Sequence, residues 1–190
     1  MGCDRTIEEH LVFRALLQAM ARPGTVHSMT ESVDCRDDAL ELLARALLDS
    51  EASIGVLVGA DGEDDLARRM ADASGCRFSD PGQADFALVA GGSSEGRIGL
   101  LRAGDPDFPD ESATLVYLVD EVDEDGGAIA WEGPGIFGYR LPRVTGIADD
   151  EWIALRKANA AYPVGFDALF VDRAGRVLAL PRSVRMRGVR

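Results

Sequence analysis

Lysine is almost absent from this 190-residue chain: Lys157 stands alone against 19 arginines. Schiff-base chemistry, pyridoxal phosphate included, therefore has a single amine to use. That amine lies in Arg156-Lys157-Ala158-Asn159, on what reads as the solvated part of a helix, so an ordinary surface lysine is expected there and no cofactor. Histidine is nearly as scarce. His10 and His27 lie 17 apart, and Cys3, Cys35 and Cys76 are isolated, so no set of ligands has the spacing of a zinc cage and no metal is expected. An odd number of scattered cysteines fits reduced thiols in a cytoplasm. Long apolar runs are missing too: the longest, Phe86 to Ala90, has the length of a strand and excludes a membrane span. Asp4, Glu8 and Glu9 stand where a secretory signal would be basic. No Gly-x-Ser-x-Gly motif is present, and neither histidine stands near a recognisable serine or cysteine partner in sequence.

Acids outnumber bases, for a net charge of −13, and this argues against nucleic acid, whose phosphates are held by Lys and Arg. The charge is unevenly spread. Residues 1–150 carry 30 acids and 12 bases, whereas residues 151–190 carry 3 acids and 8 bases. Such asymmetry marks either an anion or acidic-partner surface or a cationic tail on an acidic body.

The pattern along the chain reads as one domain of mixed α/β class, residues 1–190. Thr6-Ile7-Glu8-Glu9 has the form of a capping box, after which Val12, Leu16, Ala19 and Met20 recur at helical spacing until Pro23-Gly24. A second helix is expected from Asp37 to Asp49. Ser53 to Val58 reads as a buried strand, and Glu63 to Ser74 as a helix closed by Gly75. Phe86 to Ala90 and Thr114 to Val119 are further strands, with Ala128 to Glu132 as a hairpin partner. A last helix opens at Asp149-Asp150 and runs to about Ala160. Phe166 to Val171 and Val177 to Leu180 form a terminal hairpin that Pro181 stops. Alternating helices and strands followed by local strand pairing predict a mixed sheet with helices on both faces.

Few residues stand out as chemistry. Asp105, Asp107 and Asp110 lack the glycine and terminal glutamate of a calcium loop, and an exposed acidic turn is expected. Gly91-Gly92-Ser93-Ser94-Glu95-Gly96-Arg97 follows a strand, where phosphate-cradling loops occur, but lacks the P-loop ending and dinucleotide spacing. Arg14 and Arg22, eight apart, share roughly one side of the first helix, and Arg182 follows Pro181 at a strand end. A guanidinium suits bidentate recognition of phosphate, phosphonate or carboxylate; in a chain this acidic, ion pairing is the competing role.

Four segments resemble the H-subunit (PhnH) family of the bacterial carbon–phosphorus lyase system. They are Phe13 to Gly24, Glu111-Ser112-Ala113-Thr114-Leu115-Val116, Gly133-Pro134-Gly135-Ile136, and Tyr162 to Asp167 together with Leu178-Ala179-Leu180-Pro181-Arg182-Ser183. Residues 60–105 match loosely, and Ser183-Val184-Arg185 stands where a Thr-Thr-type continuation is usual. The resemblance implies a three-layer α/β sandwich related to pyridoxal-phosphate transferases, without the cofactor or its lysine. It implies a homodimer in isolation and assembly with the G, I and J subunits. It further implies a non-catalytic part in a transferase, ribose 1-methylphosphonate 5-triphosphate synthase, which displaces adenine from MgATP with a phosphonate. No catalytic residue carries over. Ligand or interface candidates are Arg14, Arg22, Thr114 and Arg182. The alternative is a small-molecule protein in which Arg14, Arg22 and Arg182 converge on a phosphonate or nucleotide.

Overall fold

Strand side chains point alternately to opposite faces, and each central strand of this chain is apolar on both. The computed structural model describes residues 2–29, 36–58 and 63–189. Its helices are α1 (Gly2–Ala21), α2 (Arg36–Leu47), α3 (Glu63–Ser74) and α4 (Asp149–Ala158). Its strands are β1 (Val26–Ser28), β2 (Ser53–Val58), β3 (Arg77–Phe78), β4 (Phe86–Val89), β5 (Thr114–Leu118), β6 (Glu121–Asp123), β7 (Ala130–Glu132), β8 (Arg143–Thr145), β9 (Asp167–Val171), β10 (Arg176–Leu180) and β11 (Arg185–Arg187).

Seven strands form the main sheet in the order β1-β10-β9-β5-β4-β2-β3. The run from β9 to β3 is parallel, and β10 and β1 add antiparallel pairings at one edge. On one face Ile54, Leu88, Val116, Leu118, Leu169 and Val171 pack against Val12 and Leu16 of α1, Leu40 and Leu43 of α2, and Met70 of α3. The alternate residues Leu57, Ala87, Leu115, Tyr117, Phe170 and Leu178 face Trp152 and Leu155 of α4. Trp131 and Met186, from the small β7–β11 sheet, complete that second layer. Helices thus cover both faces, as the element pattern predicts. Burial of each large apolar side chain contributes about 1.5–3 kcal/mol.

Where local signals suffice, the expected boundaries hold. β2 and α3 have the predicted ends, and Gly75 takes the left-handed φ of +79° that closes α3. The terminal hairpin pairs Val177 with Val171 and Leu180 with Ala168. Three readings need correction. α1 begins at Gly2, so Thr6-Ile7-Glu8-Glu9 lies inside the helix and does not start it. The strand at Ala130–Glu132 pairs with Arg185–Arg187, not with the strand after Thr114, because its Trp131 is drawn into the aromatic layer beneath α4. Phe86–Val89 and Thr114–Leu118 are neighbours in the parallel sheet and each ends one residue earlier than expected. Cys76 is buried and unpaired; Cys35 and the side chains of Cys3 and Thr6 lie outside the described residues. Among the described residues no helix is long and apolar enough to cross a membrane.

Candidate functional site

Thr114 and Arg182 lie at the same end of the main sheet, each beside Asp167. Thr114 opens β5 directly beside Asp167, which opens β9. Asp167 Oδ2 accepts from Arg182 Nη2 at 2.7 Å and Nε at 3.2 Å, and Oδ1 accepts from the Arg182 backbone N–H at 2.7 Å. Arg182 Nη1 donates to the Pro109 carbonyl at 2.5 Å. The guanidinium is 15% exposed and its acid 20%, so this pair is shielded from solvent screening. Arg182 is therefore a clamp joining the end of β10, the start of β9 and the turn at Pro109–Glu111. The same end of the sheet holds a second set: Asp85 accepts from the Ser53 N–H at 2.8 Å and hydroxyl at 2.7 Å, and from Arg102. Burial pushes the Asp85 carboxyl up, but the Ser53 and Arg102 bonds outweigh it and hold the group below its usual 3.8.

Arg14 and Arg22 lie elsewhere, Arg14 exposed on α1 and Arg22 exposed just past its end, and neither is in an ion pair with a described residue. The helix stops at Ala21, and its end is tied by Thr25, whose N–H and hydroxyl both donate to the Arg22 carbonyl at 3.1 and 2.7 Å. The outward face of α1 is unusual for a surface helix. Ile7, Leu11, Phe13 and Leu17 are 54, 46, 40 and 51% exposed, beside Arg14 and Gln18, while Val12, Leu16 and Ala19 fill the core behind them. A helix apolar on both sides but buried on one has a face that suits a partner.

The segments spread along the sequence converge. A Cβ on Gly135 (φ +80°) would lie 2.2 Å from the Ala21 carbonyl, so the Gly133–Ile136 turn sits against the end of α1. One on Gly133 would meet the Ser183 carbonyl at 3.1 Å, so the same turn also touches the stretch after Arg182. Arg182 in turn reaches Asp167 and, through it, Thr114.

Sequence reasoning missed a carboxylate buried in the core. Glu151, 1% exposed, accepts from the Tyr117 hydroxyl at 2.5 Å on Oε1 and from the Ser94 N–H and hydroxyl at 2.9 and 2.8 Å on Oε2. The glycine loop thus cradles an anion, and that anion is the chain's own Glu151 carboxylate. Gly92 is required there, because a Cβ would come within 1.8 Å of the Gly146 carbonyl. Burial drives the Tyr117 hydroxyl well above its usual 10, and the Glu151 charge and hydrogen bond add to this.

A sequence model of one family, described as Bacterial phosphonate metabolism protein (PhnH), matches residues 3–187. The chain belongs to the PhnH family. It is 29% identical over 181 residues to a Stutzerimonas stutzeri protein named as a C-P lyase subunit, HtxG, with 94% of this chain and 85% of that protein covered. It is 27% identical over 190 residues to the alpha-D-ribose 1-methylphosphonate 5-triphosphate synthase subunit PhnH of Rhizobium meliloti (strain 1021), covering 96% and 92% of the two chains.

Other features of this PhnH-family chain follow from single residues. Lys157 is exposed on α4, as expected of a surface lysine. No group of three or more His, Cys, Asp or Glu among the described residues is arranged to hold a metal ion. His10 is exposed, and His27 Nε2 lies 2.7 Å from the Thr25 hydroxyl. The acidic turn is exposed, and Asp105 accepts from the N–H groups of Asp107 and Phe108 at 2.8 and 2.9 Å.

Proposed function

We propose that this chain is a non-catalytic subunit of a cytoplasmic carbon–phosphorus lyase complex. It supports formation of ribose 1-phosphonate 5-triphosphate from MgATP and an alkylphosphonate by binding the G, I and J subunits. Family membership supports the pathway, and the outward face of α1 is the observation that carries the assembly role. Ile7, Leu11, Phe13 and Leu17 present apolar surface, and Arg14 adds a cation without a partner among the described residues. An apolar patch edged with carboxylates on the neighbouring subunit fits it. In isolation the same face pairs two copies of the chain. That homodimer places both Arg14 residues on one shared interface, so it gives way to a partner bearing acids. We further infer, from the family resemblance, a three-layer sandwich related to pyridoxal-phosphate transferases; the mixed sheet with helices on both faces is what supports it.

Co-expression with the other three subunits, followed by native mass spectrometry, tests this reading. The wild-type chain is expected at fixed stoichiometry, and Leu11→Glu/Leu17→Glu is expected to drop out while keeping its thermal midpoint. A wild-type chain that stays alone, or full transferase activity without it, overturns the role. Undiminished incorporation of the double variant overturns the surface.

A further inference from the structure

A cleft of about 860 Å³ opens between the end of α4 and the β7–β11 pair, with Arg156, Tyr162, Arg182 and Arg185 in its wall. Two of the four segments that carry the family resemblance line it, one through Gly133-Pro134 and the other through Tyr162 and Arg182-Ser183. Its charge balance is unusual for a chain of net −13. Arg182 is neutralised by Asp167. The acid in the wall, Glu132, stands directly opposite Arg185 in the strand register, yet it pairs diagonally with Arg187 at 2.8 Å. Arg185 is left exposed without an ion pair among the described residues, as is Arg156 in the last turn of α4. The C-terminal end of α4 favours a cation at Arg156, but no such field accounts for Arg185.

Two uncompensated guanidiniums in one concavity match the planar, multiply charged oxygens of a phosphate or phosphonate group, which each fork grips bidentately. Tyr162, 64% exposed, adds a flat apolar ring to the same cleft. The loop that carries it is fixed from behind, where Asn159 accepts from the Phe166 N–H at 2.8 Å and donates to its carbonyl at 3.0 Å. We propose that this cleft binds a multiply charged phosphate or phosphonate ester, with Arg156 and Arg185 on its oxyanion groups and Tyr162 against its organic portion. The site goes beyond the assembly role and stands without it. Arg14 and Arg22 are not among its walls, so the ligand site lies apart from the α1 face.

Calorimetric titration of the full chain at low salt with tripolyphosphate and with phenylphosphonate tests the assignment. Saturable binding of both is expected. Arg156→Gln/Arg185→Gln should weaken each by about tenfold or more per arginine removed. Arg97→Gln, which removes an exposed cation paired to Glu95, should bind as the wild type does. Tyr162→Ala should weaken phenylphosphonate and spare tripolyphosphate. Absence of saturable heat at millimolar probe overturns the site, as does an equal loss in Arg97→Gln, which would show diffuse charge attraction. An unchanged phenylphosphonate affinity in Tyr162→Ala overturns the placement of the ring. Co-purification with the partner subunits reads the assembly role separately, so either can fail alone.

Discussion

The Tyr117 hydroxyl donates to Glu151 Oε1 at 2.5 Å, joining the central strand β5 to the first turn of α4 inside the core. Both residues are shut away from water, so the carboxylate depends on Tyr117 and Ser94 for its solvation. Tyr117→Phe keeps the ring stacked on Phe170, 5.2 Å between centroids, and removes only the donor. A hydrogen bond to a charged group contributes about 1.5–3 kcal/mol, and that loss is expected in equilibrium denaturation. Ser94→Ala should act similarly, and a neutral result in both would show that the carboxylate is otherwise solvated.

Alkaline stability follows from the same bond. The Tyr117 hydroxyl is held well above 10 in the fold, chiefly by burial and next by Glu151, whereas in the unfolded chain it ionises near 10. The folded state therefore binds more protons than the unfolded state above that pH. Its contribution is whole below about pH 10 and is lost as pH rises through the raised native value. The phenolate absorbance assigned to Tyr117, taken as the difference between wild type and Tyr117→Phe, is expected to appear only together with unfolding.

The legible parts of this chain are those whose signals are local. β2, α3 and the hairpin of β9 and β10 are written in short apolar runs, a capping glycine and a turn at Asp172–Gly175. Extending the hairpin register one step past Leu180–Ala168 places Pro181 opposite Asp167, so the Arg182–Asp167 clamp was within reach of the sequence. Glu151 was harder. Asp149, Asp150 and Glu151 all suit the positive end of a helix, and only the spacing of Glu151 to Trp152 and Leu155 marks it as inward. The pairing of Met186 with Trp131 lies beyond any local pattern, because the two short strands find each other only once the core has placed them. The shared neighbourhood of the Pro23-Gly24 stop and the Gly133–Ile136 turn is of the same kind.

That neighbourhood separates two glycines with nearly the same backbone. Gly75 and Gly135 have φ of +79° and +80°, but a Cβ on Gly75 meets nothing within 4 Å while one on Gly135 lies 2.2 Å from the Ala21 carbonyl. Gly75→Ala should cost about 1–2 kcal/mol of left-handed strain. Gly135→Ala adds overpacking of about 1–3 kcal/mol and displaces the turn from the end of α1. The expected order of thermal midpoints is wild type, then Gly75→Ala, then Gly135→Ala. Equal midpoints for the two variants would mean that the turn moves freely from α1.

Asp85 gives the acid limb of stability. Burial opposes its charge, but the bonds from Ser53 and Arg102 prevail and place its native pKa below 3.8. The unfolded chain thus binds the extra proton in that window, and the stabilisation is present above pH 3.8 and lost as pH falls through the lowered native value. Its side chain is 39% exposed, so solvent screening keeps the effect modest. Unfolding curves of wild type and Asp85→Asn across the acid range are the measurement. Wild type should hold its advantage at neutral pH, and the two curves should converge below the native carboxyl pKa. A gap that stays constant with pH would mean that Asp85 acts through shape and hydrogen bonding alone, with no contribution from its charge.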